Sequence, residues 1–249
     1  MEIEPIAHIE SPYLTKFGVP RQPGLAPSCI SRIVFDAGIV FDDEGVIAGD
    51  ILIVVWGFSH NIADASRWSK TIRPPLLGGT QRVGVFASRS SFRPNSLALS
   101  RVEVVSVDEG IISFRGGDMV GGTPVFAVYP YDEAGHSRPE ASEGWRSQTT
   151  WPQMERIVIP SRLRDPIPAG LRDGLMELLR QDPRPAYTRK GQEGRIFWVP
   201  YGNLVVWFSV IDRILVVRDV KSMDKEQLAH VKATGVLPNL PKGPGPFGK

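Results

Sequence analysis

Proline and glycine interrupt this chain so often, 22 and 25 times in 249 residues, that long helices have little room to run. Proline removes a backbone donor and clashes with the turn before it, and glycine is costly in a helix interior. Between the interruptions lie short runs rich in Val, Ile and aromatic residues, bounded by turn formers, which is the pattern of strands. The reading is therefore a mainly β protein. Strands are expected over residues 2–10, with Ile3, Ile6 and Ile9 as core candidates, over Ser31–Phe41, and over Asp50–Phe58, which is apolar enough to be buried on both faces. Further strands are expected over Val83–Ala87, Leu97–Val107, Ile111–Phe114 and the second half of Gly116–Tyr131.

The polar, irregular stretch Asp132–Gln153 holds the expected domain boundary. Beyond it, Leu171, Leu175, Leu178 and Leu179 recur at helical spacing within Ala169–Gln181, and three strand-like runs follow: Arg195–Pro200, Leu204–Val210 and Ile214–Val220. The expected organisation is a β domain over residues 1–145, a small α+β domain over 146–221 and a flexible Pro/Gly-rich tail over 222–249, opened by a short helical stretch at Lys225–Lys232.

Several function classes are excluded early. One cysteine, Cys29, rules out an internal disulfide and a cysteine-rich metal centre, and no metal site is expected. No apolar run reaches the roughly 18–20 residues that span a bilayer, and the start MEIEPIAHIESPY lacks the parts of a signal peptide, so a soluble, cytoplasmic protein is expected. Neither GxxxxGK[ST] nor a helix-opening GxGxxG occurs, against P-loop and Rossmann sites, and HExxH and GxSxG are absent too.

The charge distribution is more informative than the formal net charge of +2. From Ala65 to Val102 there is no acidic residue, while Arg67, Lys70, Arg73, Arg82, Arg89, Arg93 and Arg101 are all basic; Ser11–Phe35 is also acid-free and carries Lys16, Arg21 and Arg32. A block of one sign is a footprint for phosphate or another anion. At its centre, RVGVFASRSSFRPNSLALSRVEVVSV (Arg82–Val107) reads as two strands presenting a stiff turn with Arg89, Arg93, Pro94 and Asn95. The long loop SPYLTKFGVPRQPGL holds Arg21 and Gln22 between Pro20 and Pro23, His60 and Asn61 follow a strand end, and Gly121-Gly122-Thr123-Pro124 would let backbone N–H groups approach a ligand. DPRPAYTRK forms a second stiff loop, with Arg184 between prolines and Tyr187 available for stacking.

Four separated segments, SPYLTKFGVPRQPGL, WSKTIRPPLLGG…VGVFASRSSFRPNSLALSRVEV, GGDMVGGTPVFAVYPY and DPRPAY, together resemble one family. It is that of the β-barrel S-adenosylmethionine-dependent methyltransferases acting on threonylcarbamoyladenosine beside the tRNA anticodon, the TrmO type. The resemblance implies a closed β-barrel followed by a small α+β domain, and a homodimer with the cofactor near the subunit interface. It implies S-adenosylmethionine bound by Pro20, Arg21, Gln22, His60, Asn61, Arg89, Leu99, Gly121, Gly122, Thr123 and Pro124. The chain departs from the family at Ser96 and Ala98, where FRPNPIG is usual, at Gly121 in place of an aspartate, and at Leu76 in place of a basic residue.

The exocyclic nitrogen of such a nucleoside is part of a urea and must lose its proton to become a good nucleophile. Arg89 and Arg93 suit the stabilisation of the resulting anion, and His60 or Tyr13 the acceptance of the proton. The substrate side of the site is expected to comprise Arg73, Arg93, Asn95, Asp182, Arg184 and Tyr187, with Arg82 as a further phosphate contact and Phe92 or Tyr187 stacking on a splayed base of the anticodon stem-loop. Two other readings share the fold: a methyltransferase for a small molecule or another nucleoside, and a non-catalytic barrel that binds RNA or an anion.

Overall fold

The computed structural model describes residues 3–39, 41, 44–58, 68–151, 153–185, 188–189, 191–234 and 236. Six strands, β1 (Ala7–Glu10), β2 (Ile30–Phe35), β3 (Ile51–Gly57), β6 (Leu97–Asp108), β7 (Ile111–Arg115) and β8 (Pro124–Pro130), form one antiparallel sheet in the order β1-β2-β7-β6-β3-β8. Because β8 pairs with β3 on one side and β1 on the other, the sheet returns on itself as a closed barrel. Closure leaves no free edge, so every strand's N–H and C=O groups can be used inside the sheet.

Alternation along the strands fills the interior. Ala7, Ile9, Ile33, Leu52, Val54, Val102, Val104, Ile112, Phe114 and Val125 point inward and pack as one cluster. The apolar run of β3 differs from its expectation of burial on both faces. Leu52, Val54 and Trp56 are buried, whereas Ile51, Ile53 and Val55 lie half-buried on the outside, since a barrel wall has one inner face only. Likewise the first strand begins only at Ala7, and Ile3 is exposed rather than in the core.

The Arg82–Val107 stretch is not a hairpin. Val83–Gly84 is β5, which pairs with β4 (Thr71–Ile72) to make a two-residue arm, and the chain then turns through a 3₁₀ segment at Val85–Ala87 before β6 pairs with β3 and β7. After β8, a single helical turn, α1 (Glu133–His136), is capped by the Asp132 carboxylate on two backbone N–H groups.

The second module is a sheet of β10 (Ile196–Tyr201), β11 (Leu204–Ile211), β12 (Ile214–Ser222) and β9 (Arg156–Val158), the last parallel to β12 and missed by the sequence reading. Strand β11 is buried through Val210 because both its faces are covered. Leu204, Val206, Phe208 and Val210 meet Leu175, Leu178 and Leu179 of α2 (Ala169–Arg180), while Val205 and Trp207 meet Leu14 and Val231 on the other face. Val231 belongs to α3 (Lys225–Thr234), so the stretch expected to open a flexible tail at 222 is instead a docked helix.

The expected boundary near 145 is also crossed. Tyr13, Ala26 and Cys29, from the loop between β1 and β2, are buried in the core of the second module, and Gly202 N–H donates to the Pro12 carbonyl at 2.8 Å. That loop is a strap tying the two modules together. No helix among the described residues is long and apolar enough to cross a membrane, and none of their His, Cys, Asp and Glu side chains form a group of three that could hold a metal ion.

Candidate functional site

Strand direction assembles the site. With every pairing in the barrel antiparallel, β1, β3 and β7 end at the rim where β2, β6 and β8 begin. The segments singled out in the N-terminal half therefore share one rim, although they are scattered in sequence. The strap carrying Pro20, Arg21 and Gln22 leads into β2, the Arg89 turn leads into β6, and Gly116–Thr123 leads into β8. His60 and Asn61 follow β3 in sequence but, like Tyr187, lie outside the described residues.

The turn before β6 is held rigid by its own side chains. Arg93 donates from Nε to the Ser90 carbonyl at 3.1 Å and from a terminal nitrogen to the Ser88 carbonyl, so part of its donor set is committed to the turn rather than to an anion. Asn95 and Ser96 both have positive φ, 66° and 48°. Asparagine tolerates this region, but serine is strained there, and proline, with φ locked near −65°, cannot enter it. Phe58 N–H donates to the Ser96 carbonyl at 3.1 Å, which pins the exit of β3 against the turn. Arg89 stays exposed at the tip and makes no hydrogen bond among the described residues. Leu99, 59% exposed, points outward from β6 while its neighbour Ser100, 1% exposed, points into the barrel.

A short 3₁₀ turn at Gly144–Gln148 joins this corner to the strap: Trp145 Nε1 donates to the Ala87 carbonyl at 2.9 Å and Arg146 to Gln22 Oε1 at 3.2 Å. Arg21 reaches across to the second module, donating to the carbonyls of Asp182 and Arg184 at 3.5 and 3.3 Å and lying over the Trp151 ring. Burial, then the charge of Arg189, lowers its pKa to about 10, partly offset by Asp182, so it remains a cation at neutral pH.

Several expected roles change. Tyr13 is fully buried beside Cys29 and Tyr201, and burial above all raises the pKa of its hydroxyl, so it cannot serve as a proton acceptor for a surface substrate. Asp182 and Arg184, 2% and 6% exposed, form an internal bidentate pair at 2.7 and 3.0 Å that Arg189 joins at 3.1 Å; neither faces an RNA backbone. The N–H groups of Gly121, Gly122 and Thr123 donate to Tyr13, Ile9 and Val120 carbonyls at 2.9, 2.7 and 3.2 Å. They hold the loop to the strap, to β1 and to itself, so a ligand would meet this loop without those donors. Arg73 and Arg82 are exposed on the β4–β5 arm, and Arg82 donates to Thr71 Oγ1 at 3.1 Å.

The sequence reading passed over one group. Asp118, between buried Met119 and buried Gly117, lies just inside the rim. Its Oδ1 accepts from Ser100 Oγ at 2.5 Å, and Ser100 Oγ in turn accepts from Trp56 Nε1 at 2.8 Å. Burial raises its carboxyl pKa to about 6 against the opposing pulls of the Ser100 hydroxyl and the nearby Arg89 charge. A lone acid inside a glycine-rich strand exit was the available signal.

The rim thus offers an exposed guanidinium beside a partly buried carboxylate, with the apolar surface of Phe92 and Leu99, 45% and 59% exposed, alongside. An exposed guanidinium suits an anionic group and the apolar surface beside it a flat ring.

A closed antiparallel barrel with such a rim, and with no βαβ nucleotide unit among the described residues, is not the Rossmann fold, and comparison with known proteins places it among β-barrel methyltransferases. The chain belongs to the tRNA-methyltransferase O family: the family's N-terminal domain matches residues 8–135 and its C-terminal domain residues 147–223. It is 37% identical over 226 residues to the tRNA (adenine(37)-N6)-methyltransferase of Escherichia coli, covering 85% of this chain and 94% of that one. The S-adenosyl-L-methionine-binding protein of Archaeoglobus fulgidus matches 53% of this chain at 30% identity, over 89% of its own length. The crystal structure of TrmO from Pseudomonas aeruginosa superposes with a TM-score of 0.71 at 23% identity, covering 89% of this chain and 98% of that one. The protein is a methyltransferase whose cofactor is S-adenosylmethionine.

Proposed function

We propose that this protein transfers a methyl group from S-adenosylmethionine to the exocyclic N6 of a threonylcarbamoyl-modified adenine beside the tRNA anticodon. The observation that carries the reading is the group of exposed basic residues on the arm and turn that lead into β6: Lys70, Arg73, Arg82 and Arg89. Phosphates are attracted to such a surface from any direction, and their attraction is screened by salt. The family match across both modules supports the same substrate class.

In this reading the cofactor supplies an electrophilic methyl carbon on a positive sulfur. The chain's part is to align the acceptor and to stabilise negative charge on the urea nitrogen. Arg89 does the second from the turn tip, and Arg93 keeps that turn in one shape. Phe92, exposed at the same corner, supplies a face on which a splayed base can stack. His60 and Asn61 complete the cofactor side. The exposed apolar residues Trp68, Phe86 and Leu99 beside the rim suit a second copy of the chain, so the working form is a homodimer with the cofactor near its interface.

The test is mass spectrometry of nucleosides after the protein, cofactor and tRNA carrying threonylcarbamoyladenosine are incubated together. One methyl is expected on that nucleoside and none on unmodified adenosine, with turnover falling steeply between 50 and 200 mM salt. Methylation of a small metabolite in place of tRNA, or a rate indifferent to salt, overturns the assignment.

A further inference from the structure

We propose that Asp118 is the group that takes the N6 proton of the acceptor base, held in position for that task by Ser100 and Trp56. The proposal rests on the methyl-acceptor reading above and assigns the step that His60 or Tyr13 was expected to perform. Tyr13 is removed from contention by burial, whereas Asp118 sits at the rim itself.

The geometry resembles an aimed base more than a barrel plug. Trp56 Nε1 donates to Ser100 Oγ, which leaves the serine proton directed at Asp118 Oδ1. Ser100 is 1% exposed, so water does not compete for either bond. One carboxylate oxygen is thereby fixed, while Oδ2 has no hydrogen bond among the described residues and the side chain is only partly covered. A purely structural carboxylate would be expected to use both oxygens, as Asp182 does with Arg184 and Arg189.

The charges that face Asp118 also suit the reaction. From the turn leading into β6 comes Arg89; β6 and β3 contribute the neutral Ser100 and Trp56; its own loop contributes a backbone N–H. Glu10, at the end of β1, is paired with Arg32 on the outside of the barrel. A base beside a guanidinium can receive a proton while the guanidinium steadies the nitrogen that loses it. As the new carbon–nitrogen bond forms, the N6–H electron pair stays on nitrogen and the proton goes to Oδ2. The carbon–sulfur pair returns to sulfur, which becomes neutral. One carboxylate charge and one sulfonium charge disappear together, and the carboxylic acid then releases its proton to solvent.

A carboxylate displaced toward neutrality is better matched to proton transfer at physiological pH than an ordinary one. Burial does this here, raising Asp118 to about 6.

The experiment compares wild type, Asp118→Asn and Ser100→Ala by single-turnover methyl transfer from pH 5 to 9, using tRNA carrying threonylcarbamoyladenosine. Calorimetry with S-adenosylhomocysteine and a ¹³C carboxyl titration of the protein without ligand accompany it. Asp118→Asn is expected to lose roughly 10²–10⁴-fold in rate, while its affinity for S-adenosylhomocysteine stays within a few-fold of wild type. Wild-type rate should fall on acidification with the same midpoint as the Asp118 carboxyl signal. Ser100→Ala, which removes a bond that favours the charged form, should move both midpoints upward together.

An Asp118→Asn rate within fivefold of wild type overturns the assignment, as does a Ser100→Ala profile that moves neither midpoint. A loss of rate matched by an equal loss of S-adenosylhomocysteine binding also overturns it, and shows a structural carboxylate. If wild type makes no product on this tRNA, the substrate reading and the role of Asp118 fall together, whereas product from wild type with an active Asp118→Asn variant removes only the latter.

Discussion

Asp118 carries a stability cost that follows from its surroundings. A carboxyl whose folded pKa is raised above its unfolded value favours the folded state in acid, and that advantage is lost as pH rises from about 4 through about 6. Asparagine retains an oxygen for Ser100 without the charge. Asp118→Asn is therefore expected to melt higher than wild type at pH 7.5, by roughly 1–3 kcal/mol of added stability, and to show no such gain at pH 4. Thermal melts at the two pH values check this. A functional residue held at the expense of stability is a common arrangement. Ser96 is a second strained position on the same rim, with φ at 48°, and its backbone cannot be that of the proline usual in the family.

Helix α2 shows how one missing atom sets the distance between elements. Gly174 faces Tyr201, and a Cβ added there would stand 2.2 Å from the tyrosine oxygen. Alanine is a better helix former than glycine by about 1 kcal/mol, so propensity alone predicts that Gly174→Ala stabilises the protein. Tyr201 is 1% exposed and cannot swing away. Overpacking of this kind typically costs about 1–3 kcal/mol. Net destabilisation is expected, and a urea titration gives the sign. The strap from β1 to β2 follows the same logic on a larger scale: its prolines and glycines read as a loop, yet Tyr13, Leu14, Ala26 and Cys29 bury against the second module.

At the scale of the molecule, the two modules meet where Arg21 crosses to the Asp182–Arg184–Arg189 cluster. Arg184→Ala would leave Asp182 buried with Arg189 as its remaining ion-pair partner among the described residues, and a loss of about 3 kcal/mol in stability is expected. Arg89→Ala, on the exposed tip, should change stability by no more than about 0.5 kcal/mol while lowering methyl transfer; chemical denaturation of both variants beside the turnover assay separates the roles. Short apolar runs between glycines and prolines, four spaced motifs and a one-signed charge block were legible without coordinates, because strand pattern and charge are properties of residues near one another in the chain. They led to the β-rich fold, the family and the cationic rim. What no local pattern could say was which basic residues face outward. Arg89 and Arg184 look alike in sequence, each in a stiff proline-containing loop, yet one is exposed and the other is neutralised in a buried fork. Asp118 likewise became a base candidate only when antiparallel closure brought Ser100, Trp56 and Arg89 around it. Burial and partner choice arise from contacts between residues distant in sequence, so the tertiary structure alone assigns them.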